Sequence, residues 1–198
     1  STRIHVFGIA RASMLPLFVS LGIESADSAA PLRQAWLSAK DNYYMAEGTH
    51  AAIRIPTAKE DRGVSQTLVG RSEATFADLR DAERAALTAV REYARRESSI
   101  KDTLDAVKAY DSLLGARLDE TDAKRRYALY RQTLKARPWD HCKCPICTEI
   151  GVETVIFRGN NRNRRRGFHN LWVLRRRIEQ ALESPSEPPV EQGRMAIV

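Results

Sequence analysis

Cysteine is scarce in this chain of 198 residues: there are three, all within the stretch HCKCPIC at 141–147. Such a set makes a poor disulfide framework, because any one bridge would leave a sulfur unpaired. Long apolar runs are missing as well. Nothing approaches the roughly 18 residues that a membrane helix needs, and the N-terminal stretch has no charged lead, apolar core and small-residue cleavage site. Neither a membrane span nor a secretory signal is expected, and the chain reads as cytoplasmic. No internal repeat is found. Acidic residues are absent between Arg158 and Ile178, where eight arginines stand (158, 162, 164, 165, 166, 175, 176 and 177). The whole chain carries a net charge of +7, so the remainder is close to neutral and the basicity is local. A local arginine cluster is the footprint expected for a polyanion, because guanidinium forks fit phosphate oxygens. A merely solvated helix face is the bland alternative.

At this length one good core can be buried, or part of a larger domain plus an appendage. The chain begins with Ser1 and enters IHVFGIA with no lead-in, which suggests a piece of a longer polypeptide. RIHVFGIA at 3–10 reads as a strand, MLPLFVSLG at 14–22 as a helix closed by Gly22, and IESADSA at 23–29 as a second strand. Strand, helix and strand with short connections fit a parallel sheet or a (β/α)8 barrel better than an antiparallel meander. PLRQAWLSAKDNYY follows as a helix with Pro31 in its first turn. The stretch 45–73 is mixed, with turns at Gly48, Pro56, Gly63 and Gly70 and an edge-strand candidate in AIRIP.

From Thr75 the pattern turns helical. Thr75 and Asp78 make a capping-box-like start, and Leu79, Ala82, Ala86, Val90 and Tyr93 fall on one stripe. Two further amphipathic stretches follow, SIKDTLDAVKAYDSLLG ended by Gly115 and ETDAKRRYALYRQTLKAR ended before Pro138. VETVIF at 152–157 reads as a strand. HNLWVLRRRIEQALE reads as a last helix with Leu171, Leu174, Ile178 and Leu182 facing inward, and 184–198 as a loose tail.

Cys142, Cys144 and Cys147 form C-x-C-x2-C, and His169 lies 22 positions after the last of them. Three thiolates and one imidazole complete a tetrahedral shell, the donor set of structural zinc, with no cysteine left over. A redox C-x2-C through Cys144 and Cys147 is the alternative, but a thioredoxin-like strand and helix around it are missing. His141 stands beside the cluster; adjacent residues rarely wrap one metal well, so His169 is the expected fourth ligand. The arginines from 158 to 166 would then lie on a loop clasped between the cysteines and His169.

C-x-C-x2-C followed 22 residues later by H-N at a helix start resembles the zinc signature of the tRNA-guanine transglycosylase family. DSAAPLRQA at 27–35 is similar to that family's D-x3-P-x-R-x-A segment, with Asp27, Pro31, Arg33 and Ala35 matching in order. HVFGIA resembles the strand before it, and RGNNRNRRRGFHN looks most like the DpdA-type branch, which works on DNA. The resemblance covers about residues 4–45 and 140–180. Trp36 stands where the family has a second arginine, and the helical stretch 75–138 exceeds the link in the bacterial tRNA enzymes.

The resemblance implies an α/β fold: the C-terminal part of a (β/α)8 TIM-type barrel at 1–73, a helical insertion at 74–138, a zinc-binding subdomain with a basic loop at 139–183, and a flexible tail at 184–198. It implies Asp27 as the catalytic nucleophile, with Phe7, Gly8 and Arg33 binding substrate and Phe7 stacking on the base. Cys142, Cys144, Cys147 and His169 would hold structural Zn2+, while Arg158, Arg162, Arg164, Arg165 and Arg166 would contact nucleic acid. The implied activity replaces guanine in nucleic acid, DNA ahead of tRNA, with a 7-deazaguanine such as 7-cyano-7-deazaguanine through an Asp–sugar ester. The implied partners are that nucleic acid, the free base, and a second copy or accessory proteins. The family's second acid comes from an early barrel strand, and none precedes Asp27 here, so the chain is expected to be incomplete for catalysis. Two plainer readings stay open. Asp27 could cap the helix at Pro31 with Phe7 in the core, and the chain could be a non-catalytic, zinc-stabilised nucleic-acid-binding module.

Overall fold

The structure is a computed structural model that describes residues 3–8, 14–58, 75–114 and 119–183. It opens on a parallel strand pair. β1 (His5–Val6) lies beside β2 (Ser25–Ala26), His5 opposite Ser25 and Val6 opposite Ala26, with α1 (Leu15–Ser20) in the crossover. α2 (Ala30–Leu37) follows at once, Pro31 in its first turn. It stops sooner than its sequence pattern predicts. Asn42 is the reason: its side-chain amide donates to Ser38 O and its carbonyl accepts from Ala52 N, which holds an extended corner in place of further helix. Beyond that corner β3 (Tyr43–Tyr44) pairs antiparallel with β4 (Thr49–His50). β5 (Ile53–Arg54), the edge strand read from AIRIP, pairs in parallel with a strand from much later in the chain, β6 (Ile156–Phe157).

Between them come α3 (Phe76–Ala94), α4 (Ile100–Leu113) and α5 (Glu120–Ala136). α3 starts on the expected reciprocal cap, Thr75 Oγ1 accepting the Asp78 amide while the Asp78 carboxylate accepts the Thr75 amide. Leu79, Ala86 and Val90 are buried along its stripe, and Ala82 and Tyr93 pack at the rim. Next follow α6 (Pro138–His141), α7 (Pro145–Ile150), a 3-10 turn at Gly151–Val155, β6, and the long α8 (Gly159–Glu183).

Three sequence expectations are corrected here. VETVIF is mostly the 3-10 turn, and only its last two residues are strand. The arginine-rich stretch is not a clasped loop but the first turns of α8. Asn163, Arg166, His169, Asn170 and Val173 recur at helical spacing and are all buried, so tertiary contacts outweigh the poor helix propensity of glycine and asparagine. Leu182 is 58% exposed, because Ala181 takes the packed position at that turn.

One hydrophobic core joins Tyr43, Ile53 and Ile55, the helical residues Val90, Leu104, Val107 and Leu134, and Cys144, Cys147, Val155 and Ile156. The three middle helices therefore share their interior with the cysteine motif. A smaller cluster of Phe18 and Leu174, with Val6, Ile23 and Ile178 against it, seats the parallel pair on α8. α2 packs closely along α8 at Gly167, where a Cβ would come within 2.7 Å of Leu32 Cδ1. Among the described residues there are three two-stranded sheets and no closed barrel, and no helix is long and apolar enough to cross a membrane. The tail at 184–198, the turns at Gly63 and Gly70, and the stop at Gly115 lie outside the described residues.

Candidate metal centre and nucleophile site

Chain geometry gathers the three sulfurs. Cys142 follows α6, and Cys144 is the N-cap of α7, where its sulfur accepts the Cys147 amide at 3.2 Å. His169 arrives from α8. Its Nδ1 lies 3.6 Å from Cys142 Sγ, 3.3 Å from Cys144 Sγ and 3.4 Å from Cys147 Sγ, and all four donor atoms lie within 4.8 Å of one another. A tetrahedral zinc ion with sulfur at about 2.3 Å and nitrogen at about 2.0 Å requires sulfur–nitrogen separations of about 3.5 Å. The residues fit the ion. His169 Nε2 donates to Tyr44 O at 2.8 Å, which sets the tautomer and leaves Nδ1 free as a ligand. The Tyr43 ring stacks on the imidazole at 4.0 Å, and its hydroxyl donates to Cys147 Sγ at 3.2 Å.

Three thiols this close cannot all ionise on their own. Hydrogen bonds from Cys144 and Cys147 pull Cys142 far below the usual thiol range, and the same cluster, through Cys142 and Cys144, pushes Cys147 up. A divalent cation inverts that logic and lets every sulfur ionise. Burial, reinforced by Cys147, pushes the Tyr43 hydroxyl well above its ordinary value, so it remains a donor. His141 is exposed and stands outside the cluster.

The second group of residues sits where the parallel strands end. Phe7 and Gly8 leave β1, and Asp27 leaves β2 with its amide donating to Val6 O at 3.1 Å. Gly8, in the left-handed region at φ +71°, donates its amide to Asp27 Oδ1 at 2.6 Å. The capping alternative is not realised: the N-cap of α2 is Ala29 with no side-chain bond, and Ser28 Oγ accepts the Ala30 amide. Phe7 is 76% exposed and is no core residue. Beside them an open depression of about 540 Å³ is lined by Gly8, Ser28, Arg33, Gln34 and Leu37. Asp27, Phe7 and Gly8 thus lie at the carboxyl ends of parallel strands, where α/β proteins place their ligands, and Arg33 from α2 lines the depression with Gly8.

A hydrogen-bonded bridge joins the two groups. Asn170, next to His169, donates to Pro31 O at 3.0 Å and Asn42 O at 3.2 Å and accepts the Tyr44 amide at 3.0 Å. No family model matches the chain. A DNA-guanine transglycosylase of Salmonella montevideo is 40% identical over 188 residues, which are 94% of this chain and 44% of that protein. That likeness, over nearly all of this chain, supports a tRNA-guanine transglycosylase-like family. The chain spans somewhat under half the length of that curated relative.

For a transglycosylase-like chain the arginines hold the main surprise. Arg166 was expected on phosphate, yet it is fully buried. Its guanidinium donates to Ala35 O at 2.6 Å, to Thr154 O and Ile156 O at 3.2 Å each, and to Asn163 Oδ1 at 2.6 Å. Burial pushes it down to about 9, and the ring of carbonyls compensates for the lost water. Arg158 pairs with Glu83, and Arg162 lies 2.8 Å from Glu153, which also accepts from Arg91 at 2.6 Å. Arg164 is exposed, and Arg165 is half exposed with Glu149 3.8 Å away. So Arg166 is withdrawn from the phosphate-contacting set, and Arg158 and Arg162 are engaged with internal carboxylates.

Sequence reasoning missed Arg166, Asn170 and Tyr43 as architectural residues of this transglycosylase-like chain. Helical spacing from Arg166 through Asn170 and Val173 to Arg177 was the available signal. Arg166→Lys should be strongly destabilising, because one ammonium cannot reach carbonyls from α2, the 3-10 turn and β6 together. We expect a loss of about 3 kcal/mol or more in urea unfolding. Unfolding at the wild-type midpoint would refute the structural role.

Proposed function

We propose that this chain forms part of a guanine transglycosylase that acts on DNA and exchanges guanine for a free 7-deazaguanine such as 7-cyano-7-deazaguanine. The observation that carries the reading is the Asp27 carboxylate, held by the Gly8 amide at the ends of two parallel strands with Phe7 exposed beside it. The relative's name, DNA-guanine transglycosylase, supports the reaction class and the DNA substrate. β1, α1, β2 and α2 are read as the last strand–helix units of a TIM-type barrel, whose active sites lie at this same end.

Base exchange breaks one N-glycosidic bond and leaves the sugar–phosphate backbone whole. Asp27 attacks C1′ as guanine departs, giving a glycosyl ester with inversion. N9 of the incoming base then attacks C1′ and frees the carboxylate, so configuration is retained overall. The proton for departing guanine, and the removal of the one on the incoming N9, are assigned to an acid in the part of such a protein that this chain does not cover. Gly8 fixes Asp27 Oδ1, Phe7 offers its ring to the base, and Arg33 places a cation at the depression. The target nucleotide must leave its stack to reach Asp27.

Cys142, Cys144, Cys147 and His169 would hold a structural Zn2+; four protein ligands close the shell, and the ion's contribution is rigidity. The test is exchange by the intact protein on matched DNA and tRNA, each with labelled 7-cyano-7-deazaguanine. Label is expected in DNA. Label in tRNA alone would overturn the DNA assignment, and label in neither would overturn the transglycosylase reading.

A further inference from the structure

With Arg158, Arg162 and Arg166 committed internally, the positive charge that reaches solvent on α8 has a narrower address. Arg164, Arg165, Phe168, Arg175 and Arg176 are exposed on one outer face of the helix, with Leu171, expected inward, and Trp172 half-buried between them and Trp172 also packed against the main core. Side-chain exposure is 50% for Arg165, 79% for Arg175 and 58% for Arg176. Phe168, in the middle of the stripe, is 56% exposed. A solubilising charged face gains nothing from an aromatic ring held in water, whereas a nucleic-acid surface does. At its far end the stripe meets a cleft of about 300 Å³ with Tyr44, Met45 and Trp172 in its walls and His141, Lys143 and Arg176 among its lining. Among the described residues no acid lines that cleft. The acids paired along the stripe are Glu149, and Glu179 at 2.9 Å from both Arg175 and Arg176. Such exposed pairs are weak and exchange readily for phosphate.

We infer that the outer face of α8 is the track for a DNA strand, with Arg164, Arg165, Arg175 and Arg176 on phosphates and Phe168 and Trp172 stacked on unpaired bases. The inference rests on the proposed reading that DNA is the substrate. Arg164 to Arg176 is about 18 Å of helix, the length of about five base steps along B-DNA. Charge complementarity selects the occupant: four arginines outnumber the two acids, Glu149 and Glu179, paired along the face, while its rings suit the flat faces of bases displaced around an extruded nucleotide. Lys143 adds positive charge where the strand would reach the cleft.

Affinity of the intact protein for a single-stranded oligonucleotide, measured by fluorescence anisotropy from low to high salt without free base, decides the matter. Arg164→Ala with Arg165→Ala should weaken binding at least tenfold and flatten the slope of log affinity against log salt by about 1.4, at about 0.7 for each phosphate no longer neutralised. Phe168→Ala should weaken binding about tenfold with the slope unchanged, since it removes stacking and no charge. All three side chains face solvent, so thermal melting should stay at the wild-type value. An unaltered slope in the double variant, or unaltered affinity in Phe168→Ala, overturns the track. So does a shift from dimer to monomer in sedimentation at constant DNA affinity, which would make the face a contact between two copies. If these variants lose DNA affinity while wild type exchanges no base, the activity reading fails and the track stands.

Discussion

Asp27→Asn should abolish base exchange, lowering the rate by about 10⁴-fold or more, as expected when a covalent nucleophile is removed. The fold should survive. Asp27 lies exposed at a strand end, and the asparagine carbonyl can still accept the Gly8 amide that now reaches Oδ1. DNA affinity should also persist, because the proposed strand track on α8 does not use this carboxylate. Mass spectrometry of the intact protein with oligonucleotide should reveal a protein–DNA adduct in wild type that vanishes in the variant. Normal exchange by Asp27→Asn would remove Asp27 from the mechanism altogether. Loss of exchange together with collapse of thermal melting would instead mean that the carboxylate holds the strand ends.

The metal cluster should respond more violently to change than any surface site. Cys144 and His169 are fully buried, and the same core holds Cys144, Cys147, Val155, Ile156 and the middle helices. Structural zinc in small peptides contributes about 10–16 kcal/mol of apparent binding free energy, as much as the whole stability of an ordinary domain. Metal analysis should therefore find one zinc ion per chain. Strong chelators, or Cys144→Ala, should erase the cooperative melting transition and much of the helical circular dichroism, and added zinc should restore the chelated wild type. A chain that binds no metal and melts normally in chelator would show that hydrogen bonds among the sulfurs and His169 suffice.

The grouping of Cys142, Cys144, Cys147 and His169 was legible because donor chemistry speaks through spacing alone: three sulfurs and one distant imidazole make a complete donor set whatever fold carries them. Thr75 and Asp78 were legible for a similar reason, since a reciprocal cap is a four-residue event with its own chemistry. Arg166 was not. A tally of charge assigns every arginine to water, and nothing short of helical phase shows that one of eight points inward to four oxygen acceptors. The start of α8 was hidden by the glycine and asparagine of RGNN, which read as a loop until the buried stripe from Asn163 to Val173 is seen. Likewise the end of α2 depended on Asn42, whose partners Ser38 and Ala52 define a corner no local propensity describes. Barrel-like character was readable only as rhythm: the parallel pair is present, but just two residues of each strand meet.

The adjacency of His169 and Asn170 has a bearing on any attempt to excise or transplant the cysteine motif. One residue faces the sulfurs, while its neighbour clamps the carbonyl of Pro31, four positions beyond Asp27. A graft that carried the three cysteines and their histidine into another scaffold would abandon the asparagine's three backbone partners, and the donor chain would lose the clamp between α8 and the backbone of Pro31, Asn42 and Tyr44. Any portable unit must therefore include α2 and the Asn42 corner beside the motif and the core it shares with the middle helices, a piece that already includes the ground on which the carboxylate stands.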